Sequence, residues 1–477
     1  MISAKKASPT ASPLLFDIDP EPLTETLTAW SGVSLAVQAL RSLDVPDSVQ
    51  RHVHLKQRER GYDEATMVES FVVLNGLGGE CLDDFQRLRE DGGLGELLGH
   101  TLPSPAAARQ FLYQFHAEQK ITAAREQRGP EQIAFIPEEN EALAGLGEVN
   151  RELVQELGRR CPDQRIATVD QDATIIVSHK VEALRTYEGE RGYQPMLAVW
   201  AEMDTILADE FRDGNVPAMM APVTVAQRAF TALPNTVEIR YFRGDSACHE
   251  SGLVQWLRDE KREQGPQGFI GFAISARMSE VLHKAILQVK AADWKPYGET
   301  HATEIRECAE VDFVPGEKSE HKDTQPLRYV AIRIRLRQEG LFADGSGVKH
   351  FALLSNIWEW SPAKLIQWHR EKAGTIEGIH DVVKNELAAG VMPCKYFGAN
   401  AAWLRLAVIT HNVLTALKRL ALPADLLAAR PKRLRFLIFS TAGRLIHHAR
   451  RVILRVAATA EQIAVWQNAR TLLPVSG

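Results

Sequence analysis

Cysteine is scarce in this 477-residue sequence: Cys81, Cys161, Cys248, Cys308 and Cys394 are its five, far apart and with no CxxC spacing. So scattered a set excludes a disulfide framework or a thiolate zinc cluster and fits a reducing cytoplasm. Long hydrophobic runs are missing too. No stretch approaches the ~18 apolar residues a membrane span requires. The N-terminus lacks a basic segment followed by an apolar stretch, so no signal peptide is expected. Excess charge is also absent, with 56 Lys and Arg against 61 Asp and Glu and a net charge of -5. Affinity for a polyanion must therefore come from uneven placement of charge. What is present, 45% hydrophobic and 25% charged residues, is ordinary for a soluble globular chain, here expected in the cytoplasm. The length suits about three domains.

Residues 1–22, with Pro9, Pro13, Pro20 and Pro22, read as a flexible leader. From 23 to 160 the patterning is helical. In "SPAAARQFLYQFHAE", Ser104 is placed to cap, Pro105 suits the first helical position, and Phe111, Leu112 and Phe115 share an apolar side. Arg109 and Gln110, near the start of that helix, are candidates for reaching base edges, against the plainer reading of a solvated polar face.

At Arg165 the pattern changes. "RIATVDQDATIIV" is a strand whose apolar run is broken by Asp170 and Asp172. Residues two apart on a strand share a face. Two carboxylates on one face of a core strand repel each other and resist desolvation unless something positive accompanies them, either a metal ion or a paired arginine. A strand pair follows, turning near Glu202 to Thr205, then a helix over about 217–232. "TVEIRYFRGDS" is a strand with Asp245 at its C-terminal end; a helix through "LVQWLRDEKRE" and the strand "GFIGFAIS" come next. Three antiparallel strands followed by two reached through helices is the order of an α/β RNase H-like mixed sheet flanked by helices. In such sheets, sites gather at strand ends near a switch in strand order.

The expected organisation is a helical DNA-binding or dimerisation domain over 23–160 and a first catalytic segment over 161–283. A β-rich insertion over 284–355 precedes the second catalytic segment, 356–415. A basic helical C-terminal region covers 416–477. In the insertion, "LRYVAIRIRLRQEG" alternates Val330, Ile332 and Ile334 with Arg333, Arg335 and Arg337, predicting a strand with one basic face. Between Lys418 and Arg455 there are ten Lys or Arg and one acid, Asp425. Among them Lys432, Arg433, Arg435, Arg450 and Arg451 are candidates for phosphate contacts.

The third acid lies in "QWHREKAGTIEGIHDVVKNELAAG". On a helix, Asp381 and Lys384 fall on the face of Glu377, while Glu386 falls on the opposite side, towards solvent or the N-terminal domain. Together "DQDAT", "RGDSACHE" and "GTIEGIHDVVKNEL" followed by "FGANAAWLRLAVITHNVL" resemble a bacterial insertion-sequence transposase of the DDE class, in the cut-and-paste branch with a β-rich insertion. The family's last segment carries a Y-R-E-K pattern. Glu377 and Lys384 match its E-K spacing, but Trp368 and Arg370 are the nearest residues to its Tyr-Arg half, and Ala373 stands where the arginine would fall.

The resemblance implies Asp172, Asp245 and Glu377 as catalytic metal ligands, with Asp170 as an accessory acid or as the ligand itself. It implies accessory roles for Lys384 and Arg370; Lys384 could hold a DNA phosphate or the terminal base, against the plainer reading of a helix salt bridge to Asp381. It implies two Mg²⁺ ions, with Mn²⁺ able to substitute, because hard cations favour carboxylate oxygens and paired ions suit in-line phosphodiester displacement. It implies double-stranded DNA as partner, both terminal inverted repeats and target, and a homodimer on that DNA, associated with the nucleoid. Excision through hairpin ends would need aromatic side chains for a flipped base, for which Trp358 and Trp360 are candidates against a packing role. The alternatives are an RNase H-like nuclease without strand transfer, a domesticated DNA-binding protein, and a glycosidase using Asp170 or Asp172 with Glu377.

Overall fold

The computed structural model describes residues 17–21, 23–55, 61–127, 133–299, 303–313, 327–336, 347–449 and 451–475. Helices fill the chain from Val33 onwards and end in α1 (Glu141–Arg160), where the Asn140 side chain accepts from the Leu143 N–H. Leu143, Leu146, Val149, Leu153 and Leu157 recur at helical spacing and are buried. Among the described residues, the remaining element of this region is a two-residue strand, Leu27–Thr28.

The carboxylate-bearing segment is the centre of the molecule. Strand β1 (Ile166–Ala173) pairs antiparallel with β2 (Met196–Trp200), which pairs antiparallel with β3 (Thr205–Glu210). On its other side β1 runs parallel to β4 (Ile239–Gly244), and β4 parallel to β5 (Gly271–Ser275). Helix α2 (Pro222–Ala232) joins β3 to β4, and α3 (Ser251–Arg258) joins β4 to β5. The order β3-β2-β1-β4-β5, with its antiparallel and parallel halves, is the RNase H-like sheet expected from the sequence.

The β-rich insertion continues the same sheet. Strands β6 (Lys295–Pro296), β7 (Glu304–Val311), β8 (Arg328–Leu336) and β9 (Val348–Ser355) form an antiparallel series whose last member pairs with β5. Nine strands result. Two long helices follow: α4 (Pro362–Asn385), with Ser361 as cap and Pro362 at the first position, and α5 (Phe397–Ala421). Strand β3 is the far edge of the sheet, where unpaired backbone groups need partners. Asn412 of α5 accepts from the Ile206 N–H at 2.8 Å and donates to the Ile206 carbonyl at 2.8 Å, while Asn150 of α1 donates to that carbonyl at 3.1 Å. One apolar core runs from the N-terminal helices through α5 to the sheet.

The C-terminal region departs from the helical expectation. It contains short helices and the helix Ala460–Leu472, but also a hairpin of Gly443–His448 and Arg451–Val456 to which Leu27–Thr28 adds a third strand. The cause is local: "RLIHH" and "RVILRV" place β-branched and apolar residues in strand-like series, a preference that a tally of basic residues conceals.

Candidate active site at the ends of the central strands

Asp170 and Asp172 leave the same face of β1, towards α4, and meet different fates. Asp170 is fully buried. Arg243, its neighbour in the β1–β4 register, grips it through two bonds of 2.6 and 2.8 Å, and the Thr375 hydroxyl donates to it. Arg243 also donates to the Trp368 carbonyl at 2.6 Å, and His369 donates to the Gly244 carbonyl at 2.9 Å. These bonds bolt the first half of α4 to the ends of β1 and β4. Asp170 is therefore a clamp with its arginine, and both of its oxygens are engaged.

Asp172 is partly exposed and its partner is a lysine, Lys372 of α4, at 3.0 Å. Asp245 sits just past β4, where its side chain accepts from the Ala247 N–H at 3.0 Å. Burial, and next the negative charge of Asp172, raise the Asp245 carboxyl above its ordinary value, with Lys372 opposing them. Two carboxylates from adjacent strand ends thus face each other around one ammonium.

Glu377 is exposed, and among the described residues its carboxylate has no hydrogen-bond or ion-pair partner. It lies on the flank of α4 that also carries Arg370 and Lys384, seven residues to either side. Arg370 reaches away from the acids to the Tyr297 hydroxyl at 2.7 Å, whereas Lys384 donates to the Ile175 carbonyl at 2.9 Å, just beyond β1. Among the described residues no three of His, Cys, Asp and Glu stand close enough together to hold a metal ion. The structure brings Asp172 and Asp245 together and leaves Glu377 on the open flank. Glu386 lies beside the N-terminal helices, its carbonyl sharing Arg435 with those of Asn75 and Gly76, while its carboxylate turns to the C-terminal segment. It pairs with Arg430 at 2.6 Å and accepts from the Lys432 N–H at 2.7 Å.

Several neighbours carried no clear signal in the sequence. Lys372 sits in the polar run "HREKAG", and its partner lies 200 residues away in the chain. His380 is buried with both ring nitrogens unpartnered among the described residues; burial, assisted by Lys372 and Lys384 against Asp172, brings it down to about 4. Tyr187, 79% exposed, stands in the turn between two short antiparallel strands, Leu184–Arg185 and Arg191–Tyr193. Its hydroxyl is raised by burial and then by the charges of Glu188, Asp172 and Asp245, so it overlooks the acids. Arg243 was legible in part, as the arginine two residues before Asp245.

The expected DNA contacts divide. Arg333 and Arg335 do lie on β8, but Glu307 of β7 binds both, at 2.9 and 3.0 Å, and Arg333 stacks on Trp294 at 4.2 Å. Both guanidiniums are thus tied within the sheet, but one carboxylate offsets only one of their two charges. Arg435 donates to the Gly76 carbonyl at 2.9 Å and the Asn75 carbonyl at 3.2 Å, an internal tie and not a surface cation. Lys432, Arg433 and Arg451 are exposed, as are Arg109, 3.8 Å from Asp83, and Gln110. Arg337 and Arg450 lie outside the described residues. Trp360 is packed between Tyr241 and Trp368, with ring centroids 5.5 and 5.2 Å away, so it is not free to receive a base. Trp358 is 47% exposed.

A family model described as "Transposase DDE domain group 1" matches residues 24–474. The chain belongs to that family. A solved piggyBac transposase, in a synaptic complex with hairpin DNA, is similar to this DDE transposase at 10% identity and a TM-score of 0.42, covering 80% of this chain and 74% of that one. No curated protein matches the chain. No helix among the described residues is long and apolar enough to cross a membrane.

Proposed function

We propose that this DDE transposase carries out cut-and-paste transposition: it cleaves DNA at terminal inverted repeats, by way of hairpin ends, and joins the freed ends to target DNA as a homodimer. Asp172, Asp245 and Glu377 are its catalytic acids. The observation that carries this reading is the placement of Asp172 and Asp245 at adjacent strand ends, where the charge of Asp172 disfavours that of the buried Asp245. Such a pair fits a divalent cation, since a positive ion relieves the repulsion and carboxylates are its preferred donors. Two Mg²⁺ ions, when bound, would supply Lewis-acid activation of the attacking and leaving oxygens. Asp172 and Asp245 would hold them on the sheet side and Glu377 would close the set from α4. Asp170 does not compete for this role, because Arg243 and Thr375 occupy it. Exposed Arg109, Gln110, Lys432, Arg433 and Arg451 would carry the DNA, with phosphate contacts giving affinity and the N-terminal helices contributing base contacts.

The test uses purified protein and labelled duplexes bearing the element's terminal repeats, with Mg²⁺ or Mn²⁺. Joined product that needs metal and disappears in Asp172→Ala, Asp245→Ala and Glu377→Ala is the expected result. Cleavage without joining would make the protein a nuclease. Binding without cleavage would make it a DNA-binding relic.

A further inference from the structure

Asp170 and Asp172 are two residues apart on one strand face, yet the first has an arginine and the second a lysine. The difference is chemical. A guanidinium holds a carboxylate through a rigid two-point fork, as Arg243 holds Asp170, and such a pair is built to stay closed. An ammonium is a point charge on a flexible stem and can withdraw along it.

Lys372 is 8% exposed, and its helix cannot turn to remove it, because Arg243, His369 and Thr375 fix α4 on either side. Its ammonium lies 3.0 Å from Asp172. Its field also reaches Asp245, Cys248, His369 and His380. Among the described residues the ion pair with Asp172 is the one close contact of its ammonium. The chain itself thus supplies a positive charge at the pair of carboxylates that would take a metal.

We propose that Lys372 is a resident counter-cation that competes with divalent metal for Asp172 and Asp245, and so sets how tightly the site loads. The inference rests on the reading of those two acids as metal ligands. A divalent ion entering between them meets the ammonium at short range, in surroundings where water screens poorly. Loading therefore requires Lys372 to leave Asp172. Until then Lys372 compensates Asp172 and only partly offsets the charge of Asp245.

The experiment titrates full-length protein with Mn²⁺ alone, following binding by calorimetry and by the electron paramagnetic resonance signal of the free ion. Thermal melts check that each variant is folded. Lys372→Met is expected to bind Mn²⁺ at least about tenfold more tightly than the parent, and Lys372→Arg, which keeps the charge, no more tightly. Lys372→Gln, expected to follow Lys372→Met, replaces it if the methionine variant does not fold. Asp172→Ala and Asp245→Ala are expected to lose the binding. If they lose it while both uncharged Lys372 variants bind as the parent does or more weakly, the competition is disproved and the metal site stands. If binding ignores Asp172→Ala, the assignment of the acids fails and this inference with it.

Discussion

Asp172 and Asp209 stand in one row of the sheet: Asp172 is opposite Leu197 across β1 and β2, and Leu197 is opposite Asp209 across β2 and β3. Both are aspartates beside a cation from a long helix, but one site is closed and the other open. Arg405 of α5 holds Asp209 at 3.0 Å from Nε and 3.0 Å from Nη2, and holds Glu139 at 2.9 Å from each terminal nitrogen. Its remaining donor goes to the Leu143 carbonyl at 2.6 Å. All five guanidinium N–H groups are used, with the side chain 3% exposed. Lys372 at Asp172 satisfies one carboxylate and leaves the neighbouring Asp245 uncompensated enough that its charge is disfavoured. Charge that has been fully paired holds the fold together. Charge left partly paired at a strand end remains available to a substrate or an ion.

The comparison breaks most visibly at Arg405. Arg405→Met keeps the stem but strands Asp209 and Glu139, and removal of one partner from a buried ionic group costs roughly 3–5 kcal/mol. A drop of that size in urea-denaturation stability is expected. A loss below about 1 kcal/mol would place the Arg405 cluster among the weak surface pairs.

The next effect separates the two aspartates of β1. Asp170→Asn leaves Arg243 without its charge partner at the root of α4 and is expected to cost about 3 kcal/mol. Asp172→Asn, at a partly exposed position, is expected to stay within about 1 kcal/mol of the parent while abolishing cleavage and joining. Equal destabilisation by the two would erase the distinction between clamp and site, and melts of the two variants alongside the strand-joining assay decide it.

Acid provides a third, smaller break, and it acts on the closed cluster. Burial raises the Glu139 carboxyl, and Arg405 and Arg228 more than reverse this, holding it at about 2 against an ordinary 4.5. A folded value below the unfolded one means that the stabilisation is present above pH 4.5 and is lost as pH falls towards about 2. One pH unit below the ordinary value the loss should be about 1.4 kcal/mol. Glu139→Gln should flatten this part of the stability profile between pH 4.5 and 2. An unchanged slope in that variant would assign the acid sensitivity to other carboxylates.

Sequence legibility follows the same division between local and distant causes. The strand order β1 to β5 could be read because each strand announces itself through its own apolar run and its own turns. The preference for Asp172 over Asp170 followed from motif resemblance; that Asp170 is held by Arg243 and Thr375 could not be read from it. The clamp, Lys372 and Glu307 were hidden because each works through a partner far away in sequence. A lysine in "HREKAG" and a glutamate in "EIRECAEV" look like ordinary solvated charges until the fold supplies Asp172 and Arg335. The hairpin Gly443–Val456 was hidden for the opposite reason: its strand pattern was local, but its arginines drew the reading towards a basic helix.

The exposed cations of the short helix before that hairpin carry the smallest predicted effect. Each side chain that contacts a phosphate contributes about 0.9 to the slope of log affinity against log salt concentration. Lys432 and Arg433 are exposed, whereas Arg335 is engaged with Glu307 at 3.0 Å. Lys432→Ala and Arg433→Ala should each lower the slope for terminal-repeat duplexes by about one unit and weaken binding to unrelated duplexes equally, as contacts to the backbone do. Arg335→Ala should leave the slope unchanged, because its guanidinium is held by Glu307 and not by phosphate. Anisotropy titrations from low to moderate salt would read both. A lower slope for Arg335→Ala, with none for Lys432→Ala or Arg433→Ala, would move the DNA path from the C-terminal segment to the edge of the insertion strands, and would mean that Glu307 releases its arginines when DNA arrives.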